Sequence, residues 1–524
     1  MDTHDVLNQP ERADPRDPWA DDPVLQDHLT AQKGIPQEAF GRAIVELDAW
    51  ALGDAARRHP PEAQIFDRTG RRRDRVTFHP AYHRLMTLGL EAGYAAGPWT
   101  GGRHTTHAAQ VYLMSQVEPG ICCPLTMTYA AIPALHGPLA EAWAPKLTTR
   151  GYDPSEKPIE DKAAATLGMA MTEKQGGSDV RANTTRADPD GDAWRLTGHK
   201  WFCSAPMSDG FLTLAQTDHG LTCFLVPRWL PDGPNAIRLM RLKDKLGNKA
   251  NASAEIEYDD ALAYQLGEEG RGVATIIEMV HHTRLDTAMA PAGLMRAALA
   301  EAHWWAAHRT AFQRKLIDQP LMRSVLADLT LDWEGATALG LRVAAAFDDP
   351  DQRPFARIAV ALAKYLSNKR CPAVTVEAME VLGGMGYIEE TPMPMLYREA
   401  PLNGIWEGSG NIICLDILRT LHREPDAAEA LTAELAAATG ADRRYDIALE
   451  AHEARWSGGI EEAEARLFAE RTATLLTASV LIRTAPPATA DGYVATRLNA
   501  DRGLTSGAVT GLDTGGVLDR LGPV

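Results

Sequence analysis

Residues 171–180 read Met-Thr-Glu-Lys-Gln-Gly-Gly-Ser-Asp-Val, and residues 405–411 read Ile-Trp-Glu-Gly-Ser-Gly-Asn. The first stretch is a small polar loop, and its glycines suit it to lie close along a flat ligand. The second stretch places one carboxylate, Glu407, directly before a glycine turn. The two stretches therefore indicate a loop for a flat cofactor and a single candidate acid.

The hydrophobic pattern around these stretches changes period twice along the chain. Helical spacing dominates from Gln37 to Thr149, short strand-like runs with Pro-Asp-Gly turns fill 165–266, and long helical stretches return at Val273–Arg314 and Gln319–Phe347. The last stretches indicate a bundle of four or more helices. We therefore predict an α+β fold with five segments: an N-terminal arm (1–23), an N-terminal helical domain (24–164), a middle β domain (165–266), a C-terminal helical bundle (267–423) and an appended helical domain (424–524).

Composition narrows the class of partner. The net charge of −17 disfavours a surface that broadly attracts phosphate backbones or anionic lipid. The six cysteines form no CxxC pair, which is typical of reduced thiols and argues against a zinc site. No apolar segment resembles a signal peptide or a membrane span. We expect a water-soluble, cytoplasmic protein with no metal site and no membrane partner.

With these motifs in this order, the chain from about Leu25 to Leu421 resembles the acyl-CoA dehydrogenase superfamily. The segments Thr3–Pro10, Cys123–Thr128 and Arg241–Asn248, with the C-terminal extension, are most similar to one branch, the bacterial adaptive-response flavoproteins of the DNA alkylation response. The resemblance implies the acyl-CoA dehydrogenase fold, FAD as cofactor and a small-molecule acyl thioester as substrate.

The resemblance assigns the catalytic base to Glu407. Oxidation of a thioester at its α and β carbons needs a base for the α-proton and a cofactor for the hydride, because no side chain accepts hydride. A carboxylate serves as that base when burial raises its pKa toward the working pH. The residues alone also allow a structural role for Glu407, as a glutamate at a helix start that the helix dipole stabilises.

Some members of the family carry the base on an earlier helix, immediately before an arginine. The matching pair here is Thr283-Arg284, which offers no carboxylate and so supports Glu407. Arg284 is a tentative contact for the acyl carrier, and an ion pair with Asp286 or another neighbour is the alternative.

Five residues of the middle domain are expected to bind the flavin ring and its tail. The resemblance places Met171 and Thr172 beside the ring and Ser178 near the phosphates or the thioester tail. It stacks Phe202 on the ring and puts the Ser204 hydroxyl near the reactive nitrogen. Trp201 is expected to be a core aromatic instead.

A second set of cofactor contacts is expected in the helical bundle. Arg309 and Phe312 match a segment whose arginine binds the cofactor pyrophosphate across a subunit boundary, a task suited to a guanidinium fork. Gln313 stands where the family has glycine, which leaves the local turn open. A pyrophosphate ligand donated by a neighbouring subunit requires at least two chains, and the resemblance implies that the assembly is a homotetramer.

The adenosine end of FAD is expected near the glycine pair Gly383-Gly384. Glu380 precedes this loop where the family often has glutamine, so one amide donor is missing. Ser409 and Asn411 are expected at the ribose or adenine, and helix capping is their alternative role.

The C-terminal appendage bears on a second partner, duplex DNA. From Glu424 onward the sequence contains nine arginines and no lysine against sixteen Asp and Glu, which disfavours phosphate binding overall. Arg443, Arg444, Arg497 and Arg502 would supply a basic face if they gathered on one surface. DNA binding therefore stays open as the weaker hypothesis.

Three functions follow from this sequence. The leading one is an FAD-dependent acyl-CoA dehydrogenase with Glu407 as base. The second is an FAD-bearing protein of the alkylation response that binds and protects DNA or intercepts alkylating agents. The third is a flavin oxidase of the nitroalkane type, which generally uses aspartate as base, so glutamate at position 407 counts against it.

Overall fold

The computed structural model describes residues 4–10, 16–499 and 501–523. The predicted arm 1–23 falls partly on residues 1–3 and 11–15, which lie outside that description, as do residues 500 and 524 of the predicted appendage. The first elements are helices α1 (Pro23–Ala31), α2 (Glu38–Glu46) and α3 (Ala49–Arg58), strands β1 (Glu62–Phe66) and β2 (Arg72–Thr77), and helices α4 (Pro80–Ala92), α5 (His104–Val117), α6 (Pro119–Ala131) and α7 (Gly137–Leu147).

The hairpin of β1 and β2 corrects the expectation that this region is wholly helical. Its two strands pair antiparallel across a turn that Asp67 organises, since the Asp67 carboxylate accepts bonds from the backbone N–H groups of Thr69 and Arg71 at 2.8 and 3.0 Å. Gly70 follows at φ 82°, a left-handed conformation that glycine adopts without strain. An Asp and a Gly at these positions are a turn signal that the helical periodicity on either side masked.

The predicted middle β domain is confirmed as a sheet that closes on itself. The larger strands are β3 (Leu167–Ala170), β4 (Arg186–Asp190), β5 (Ala193–Ser204), β6 (Gly210–Thr217), β7 (Gly220–Pro227), β10 (Ile237–Leu242) and β11 (Ser253–Leu266), with the short pair β8 (Trp229–Leu230) and β9 (Gly233–Pro234) between them. The hydrogen-bonded order is β10-β11-β5-β4-β6-β3, and β7 pairs with both β11 and β6. Buried apolar side chains such as Phe211, Phe224 and Ile256 fill the space that the strands enclose.

The predicted bundle and helical appendage are also present. They comprise α8 (Gly272–His308), the two-residue strands β12 (Thr310–Ala311) and β13 (Arg314–Lys315), then α9 (Pro320–Phe347), α10 (Arg353–Val381), α11 (Met393–Glu399), α12 (Gly410–Arg423), α13 (Pro425–Ala436), α14 (Arg443–Arg455), α15 (Ala465–Thr484), α16 (Pro487–Arg497) and α17 (Thr514–Leu518). The predicted helix Val273–Arg314 is too long, because α8 ends at His308 and a small hairpin follows.

The described residues divide into two compact units. The β unit takes Glu46–Gly102 and Val117–Thr283, and the bundle unit takes the described parts of Met1–Val45, Arg103–Gln116 and Arg284–Val524. Within the bundle unit, α9, α10 and α15 pack on one another, and α12 and α13 pack on α10. This packing surrounds Lys364 and the turn that carries Glu407.

A buried polar network ties the start of the chain into the bundle unit. Asp22, the N-cap of α1, accepts bonds from Tyr112 at 2.6 Å and from Arg296 at 3.1 Å. The Trp333 indole donates to the Tyr112 hydroxyl at 2.9 Å. The Asp22 carboxylate and the Arg296 guanidinium pair with each other, so the burial of Asp22 does not leave an isolated charge.

Three further features follow from the described residues. All six cysteines are buried and unbridged. No described helix is both long enough and apolar enough to cross a membrane. Within 4–10, 16–499 and 501–523, no cluster of three or more His, Cys, Asp or Glu side chains is arranged to hold a metal ion.

Candidate active site

In the β unit, the loop of residues 171–180 lies along strand β5. The main-chain N–H of Trp201 donates to the Thr172 carbonyl at 2.7 Å, and the main-chain N–H of Lys174 donates to His199 Nε2 at 2.9 Å. Asn183 donates its side-chain amide to the Met171 carbonyl at 3.0 Å. The structure thus brings Met171 and Thr172 beside the strand that carries Phe202 and Ser204, while Ser178 lies exposed farther along the loop.

Glu173 and Lys200 form a buried ion pair beneath this loop, which the sequence reasoning missed. Their Oε1 and Nζ atoms lie 2.8 Å apart, and both side chains are fully buried. Glu173 also accepts the Thr184 N–H at 2.7 Å and the Thr185 hydroxyl at 2.6 Å. Burial opposes ionisation of Glu173, but Lys200 and these donors outweigh it and lower the pKa of Glu173 to about 2. The pair therefore anchors the loop as a buried, compensated charge.

A bulge in β5 presents two aromatic rings at once. Lys200 pairs with Ile256 and Cys203 with Ala254, so Trp201 and Phe202 together face the single residue Glu255. Phe202 is 46% exposed, and Lys243 Nζ lies 3.3 Å from the Trp201 ring centroid and 4.8 Å from that of Phe202. Trp201, expected in the core, is only half-buried.

Ser204 ends β5 just beyond this bulge. Its hydroxyl lies 3.3 Å from that of Ser253 on β11. The strand therefore presents an exposed ring at Phe202 and a hydroxyl two positions on, in the order expected for a flavin contact.

In the bundle unit, Glu407 occupies a left-handed turn. Its φ is 57° and that of Gly408 is 96°. Helix α12 begins only at Gly410, with Ser409 at the N-cap position, so Glu407 stands outside the helix rather than in its first turn. A non-glycine residue in this conformation costs on the order of 1–2 kcal/mol and persists only where its surroundings hold it.

Two cations hold the backbone of this turn. Lys364 Nζ donates to the carbonyls of Asn403 and Gly408 at 2.8 and 2.9 Å. Arg284 Nε donates to the Glu407 carbonyl at 3.4 Å, and its Nη1 pairs with Asp416 at 2.6 Å. Sequence reasoning did not single out Lys364, because a lysine within a helix gives no local signal of what it contacts.

Arg284 is buried rather than on a helix surface. It is 7% exposed, and Asp416, which also pairs with Arg357 at 3.0 Å, takes up its charge. Asp286, the other partner considered from the sequence, bonds to His107 instead, at 2.6 Å. Contact between Arg284 and an acyl carrier stays a prediction.

The segment with Arg309 and Phe312 forms the hairpin of β12 and β13. Phe312 and Gln313 have φ of 51° and 63°, the pair of positive values that a two-residue type I′ turn requires. The turn therefore forms although Gln313 replaces the family's glycine. Phe312 is 93% exposed, and the Arg309 guanidinium bonds to the Asn8 carbonyl and lies 5.5 Å from the Trp305 ring centroid.

We predict that Arg309→Ala weakens FAD retention by about 10- to 100-fold, the loss expected for a hydrogen bond to a charged group. Equilibrium dialysis of the purified protein against FAD measures the change. Arg314→Ala, an exposed arginine on the same hairpin, is the matched control and should retain FAD normally. If Arg309→Ala retains FAD as well as Arg314→Ala and the wild-type protein do, Arg309 does not belong to the cofactor site.

The remaining candidates also lie in the bundle unit. A Cβ added at Gly383 or at Gly384 would meet no atom within 4 Å, so the backbone of this loop is open at both residues. Asn411 Oδ1 accepts a bond from Arg466 at 2.7 Å. The Ser409 side chain makes no capping bond to α12, in contrast to the alternative considered from the sequence.

The residues present fit FAD. Each unit exposes the aromatic ring that the resemblance assigns to the cofactor, Phe202 in one and Phe312 in the other. The bare glycine backbone at Gly383 and Gly384 suits close approach of a nucleotide.

The arginines considered for DNA binding are largely paired. Arg497 is buried and bonds to Asp328 and Asp332, and Arg502 pairs with Asp328 at 3.3 Å. Arg444 pairs with Asp442 and Asp491, both at 2.6 Å. A guanidinium already neutralised by carboxylates offers little to a phosphate backbone.

Three family descriptions match consecutive parts of the chain. Residues 8–154 match the N-terminal domain of the adaptive response protein AidB, residues 168–261 the acyl-CoA dehydrogenase middle domain, and residues 270–422 the acyl-CoA dehydrogenase C-terminal domain.

Individual relatives agree with these matches. AidB of Escherichia coli is 44% identical over 85% of this chain and 86% of its own. Two solved structures share the fold with TM-scores of 0.83: the apo form of Bd2924, at 29% identity over 91% of this chain and 99% of its own, and Caenorhabditis elegans ACDH-11 in complex with C11-CoA, at 27% identity over 96% and 94%.

The fold and these likenesses define an FAD-dependent oxidoreductase of the acyl-CoA dehydrogenase class. The chain belongs to the acyl-CoA dehydrogenase family, in the branch of the adaptive-response protein AidB.

Proposed function

We propose that this enzyme oxidises an acyl thioester at its α and β carbons, with Glu407 as the base. The observation that carries the proposal is the turn at Glu407. Its backbone has a left-handed conformation, and Lys364 and Arg284 donate hydrogen bonds to the main chain of the turn. Such strain is retained where a side chain must be presented in one direction.

The chemistry divides between the chain and its cofactor. Glu407 takes the α-proton, the electron pair of that C–H bond becomes the new π bond, and the β-carbon loses a hydride. FAD, when bound, supplies the hydride acceptor that no side chain provides. The Glu407 carboxylate becomes a carboxylic acid in this step and returns its proton to solvent after product leaves.

Individual residues are proposed for cofactor binding. Phe202 stacks on the flavin ring, Ser204 and Thr172 offer hydroxyls to it, and Met171 borders it through its backbone. Arg309 binds the pyrophosphate, Phe312 contacts the cofactor beside it, and the backbone of Gly383 and Gly384 contacts the adenosine end. Ser178, Ser409 and Asn411 complete the contacts to the phosphates and ribose.

The proposed substrate is an acyl-CoA and the proposed assembly a homotetramer in the cytoplasm. Support for the substrate comes from the complex of C. elegans ACDH-11 with C11-CoA, a relative that covers most of this chain. Support for the tetramer is the expected donation of Arg309 to a neighbouring subunit's cofactor.

The proposal is tested by mixing the purified yellow protein anaerobically with acyl-CoA thioesters of increasing chain length. We expect at least one thioester to bleach the visible flavin absorbance and to be converted to its α,β-enoyl product. Bleaching by nitroalkanes with oxygen consumption, and none by thioesters, would favour the oxidase. Salt-dependent binding of duplex DNA with no bleaching by any thioester would favour the DNA-protecting alternative.

A further inference from the structure

Lys364 is a buried cation that no catalytic step above uses. It lies on α10 and is 1% exposed. An ammonium group in such a place is costly unless its donors are satisfied. Its two bonds go to main-chain carbonyls on either side of Glu407, at Asn403 and Gly408.

These two bonds span the turn that presents the carboxylate. Trp406 closes the same turn from within, because its indole N–H donates to Asn403 Oδ1 at 2.7 Å. Asn368 stabilises the helix at this position, because its side-chain amide donates to the main-chain carbonyls of Lys364 and Thr287, both at 2.8 Å. The ammonium therefore sits on a rigid helix and sets the path of residues 403–408.

We propose that Lys364 is a positioning residue that holds the turn of residues 403–408 so that Glu407 presents its carboxylate, and that its charge favours the ionised form of that carboxylate. The second half of this proposal rests on the proposed function, and the first half does not. The charged groups around Lys364 are Glu407, Arg284 and Lys369.

The electrostatics support this role. Burial lowers the pKa of Lys364 to about 7, with Glu407 acting in the opposite direction and Arg284 and Lys369 adding to the lowering. The ammonium form is thus most populated on the acid side of neutrality, where Glu407 must be kept ionised to act as a base. Loss of that charge should move the acid limit of thioester oxidation to higher pH.

The test compares Lys364→Met, which removes the donors and the charge, with Lys364→Gln, which keeps an amide donor of smaller reach. Lys369→Met, on the exposed side of the same helix, is the control for loss of a nearby positive charge. Each protein is studied loaded with FAD.

The first readout is hydrogen exchange of the peptide that spans residues 402–409, without substrate. We expect the exchange rate in Lys364→Met to rise by about tenfold or more, because the turn loses one to two hydrogen bonds from a charged donor. Lys364→Gln should restore part of the protection, and Lys369→Met should match wild type. Wild-type exchange in Lys364→Met would overturn the positioning role.

The second readout is the pH dependence of flavin bleaching by a thioester substrate. Both Lys364 variants should shift the acid limb of the profile to higher pH, while Lys369→Met shifts it less. An unshifted limb in Lys364→Gln would overturn the electrostatic half of the proposal. Should Lys364→Met not fold, Lys364→Gln decides both readouts.

The two readouts separate this proposal from the proposed function. If the purified protein oxidises no thioester, the proposed function fails and the electrostatic half of this proposal fails with it. The exchange experiment needs no substrate, so its result still supports or overturns the positioning of the turn by Lys364.

Discussion

Glu407→Gln is expected to slow flavin bleaching by an acyl-CoA substrate by about 10²–10⁴-fold, the contribution typical of a positioned general base. Glutamine has nearly the same shape and keeps the turn, but its amide does not accept a proton at working pH. FAD should stay bound, because the proposed cofactor contacts do not include the Glu407 side chain. Anaerobic stopped-flow absorbance measures the rate.

Two further variants sharpen this result. Glu407→Asp keeps an acid but withdraws it by one methylene, so its rate should fall between those of wild type and Glu407→Gln. Glu429→Gln, an exposed glutamate on α13, should behave as wild type. Bleaching by Glu407→Gln at the wild-type rate would assign the base elsewhere.

The second large effect is expected at Lys200, beneath the loop of residues 171–180 in the β unit. Lys200→Met leaves Glu173 buried without its cation, and breaking a buried pair in this way costs about 3–5 kcal/mol. Chemical denaturation followed by hydrogen exchange of peptides from the β unit should show this loss. FAD affinity should fall with it, because Glu173 anchors the loop that carries Thr172.

Two controls identify the cause of that loss. Lys174→Met removes an exposed cation from the same loop and should cost about 0.5 kcal/mol or less. Lys200→Met combined with Glu173→Gln removes both charges, and stability should recover in part. A double variant no more stable than Lys200→Met alone would contradict the uncompensated carboxylate as the cause.

The pH dependence has a defined sign. The pKa of Glu173 is lowered from 4.5 to about 2, so the stability from this carboxylate is complete above pH 4.5 and is lost as the pH falls toward 2. In Lys200→Met the lone carboxylate is destabilising when ionised. The difference in the free energy of unfolding between wild type and Lys200→Met should therefore become smaller as the pH falls from 4.5 toward 2.

Much of the fold could be predicted because periodicity is a property of continuous segments. The helix Gln319–Phe347 agrees with α9 to within one residue, and the run Thr222–Pro227 lies inside β7. The two hairpins were missed for different reasons. The first depends on the Asp67 turn, and the second depends on left-handed conformations at Phe312 and Gln313, where a glycine would have been the only sequence signal.

Candidate site residues could be named from the sequence only where family motifs mark them. Glu407, Phe202 and Gly383 stand in such motifs, and the structure shows the surroundings of each within its own unit. Lys364 and the Glu173–Lys200 pair depend on contacts between residues distant in sequence, at separations that no local pattern encodes. Buried ion pairs and main-chain supports of this kind need a structure to be found.

Bleaching by a thioester deuterated at its α-carbon tests the central claim most directly. If Glu407 removes the α-proton while hydride leaves the β-carbon, α-deuteration should slow anaerobic bleaching of the wild-type protein severalfold, and enoyl product should match the flavin reduced. Bleaching at the same rate with either isotope, or a yellow protein that no thioester bleaches, would contradict it.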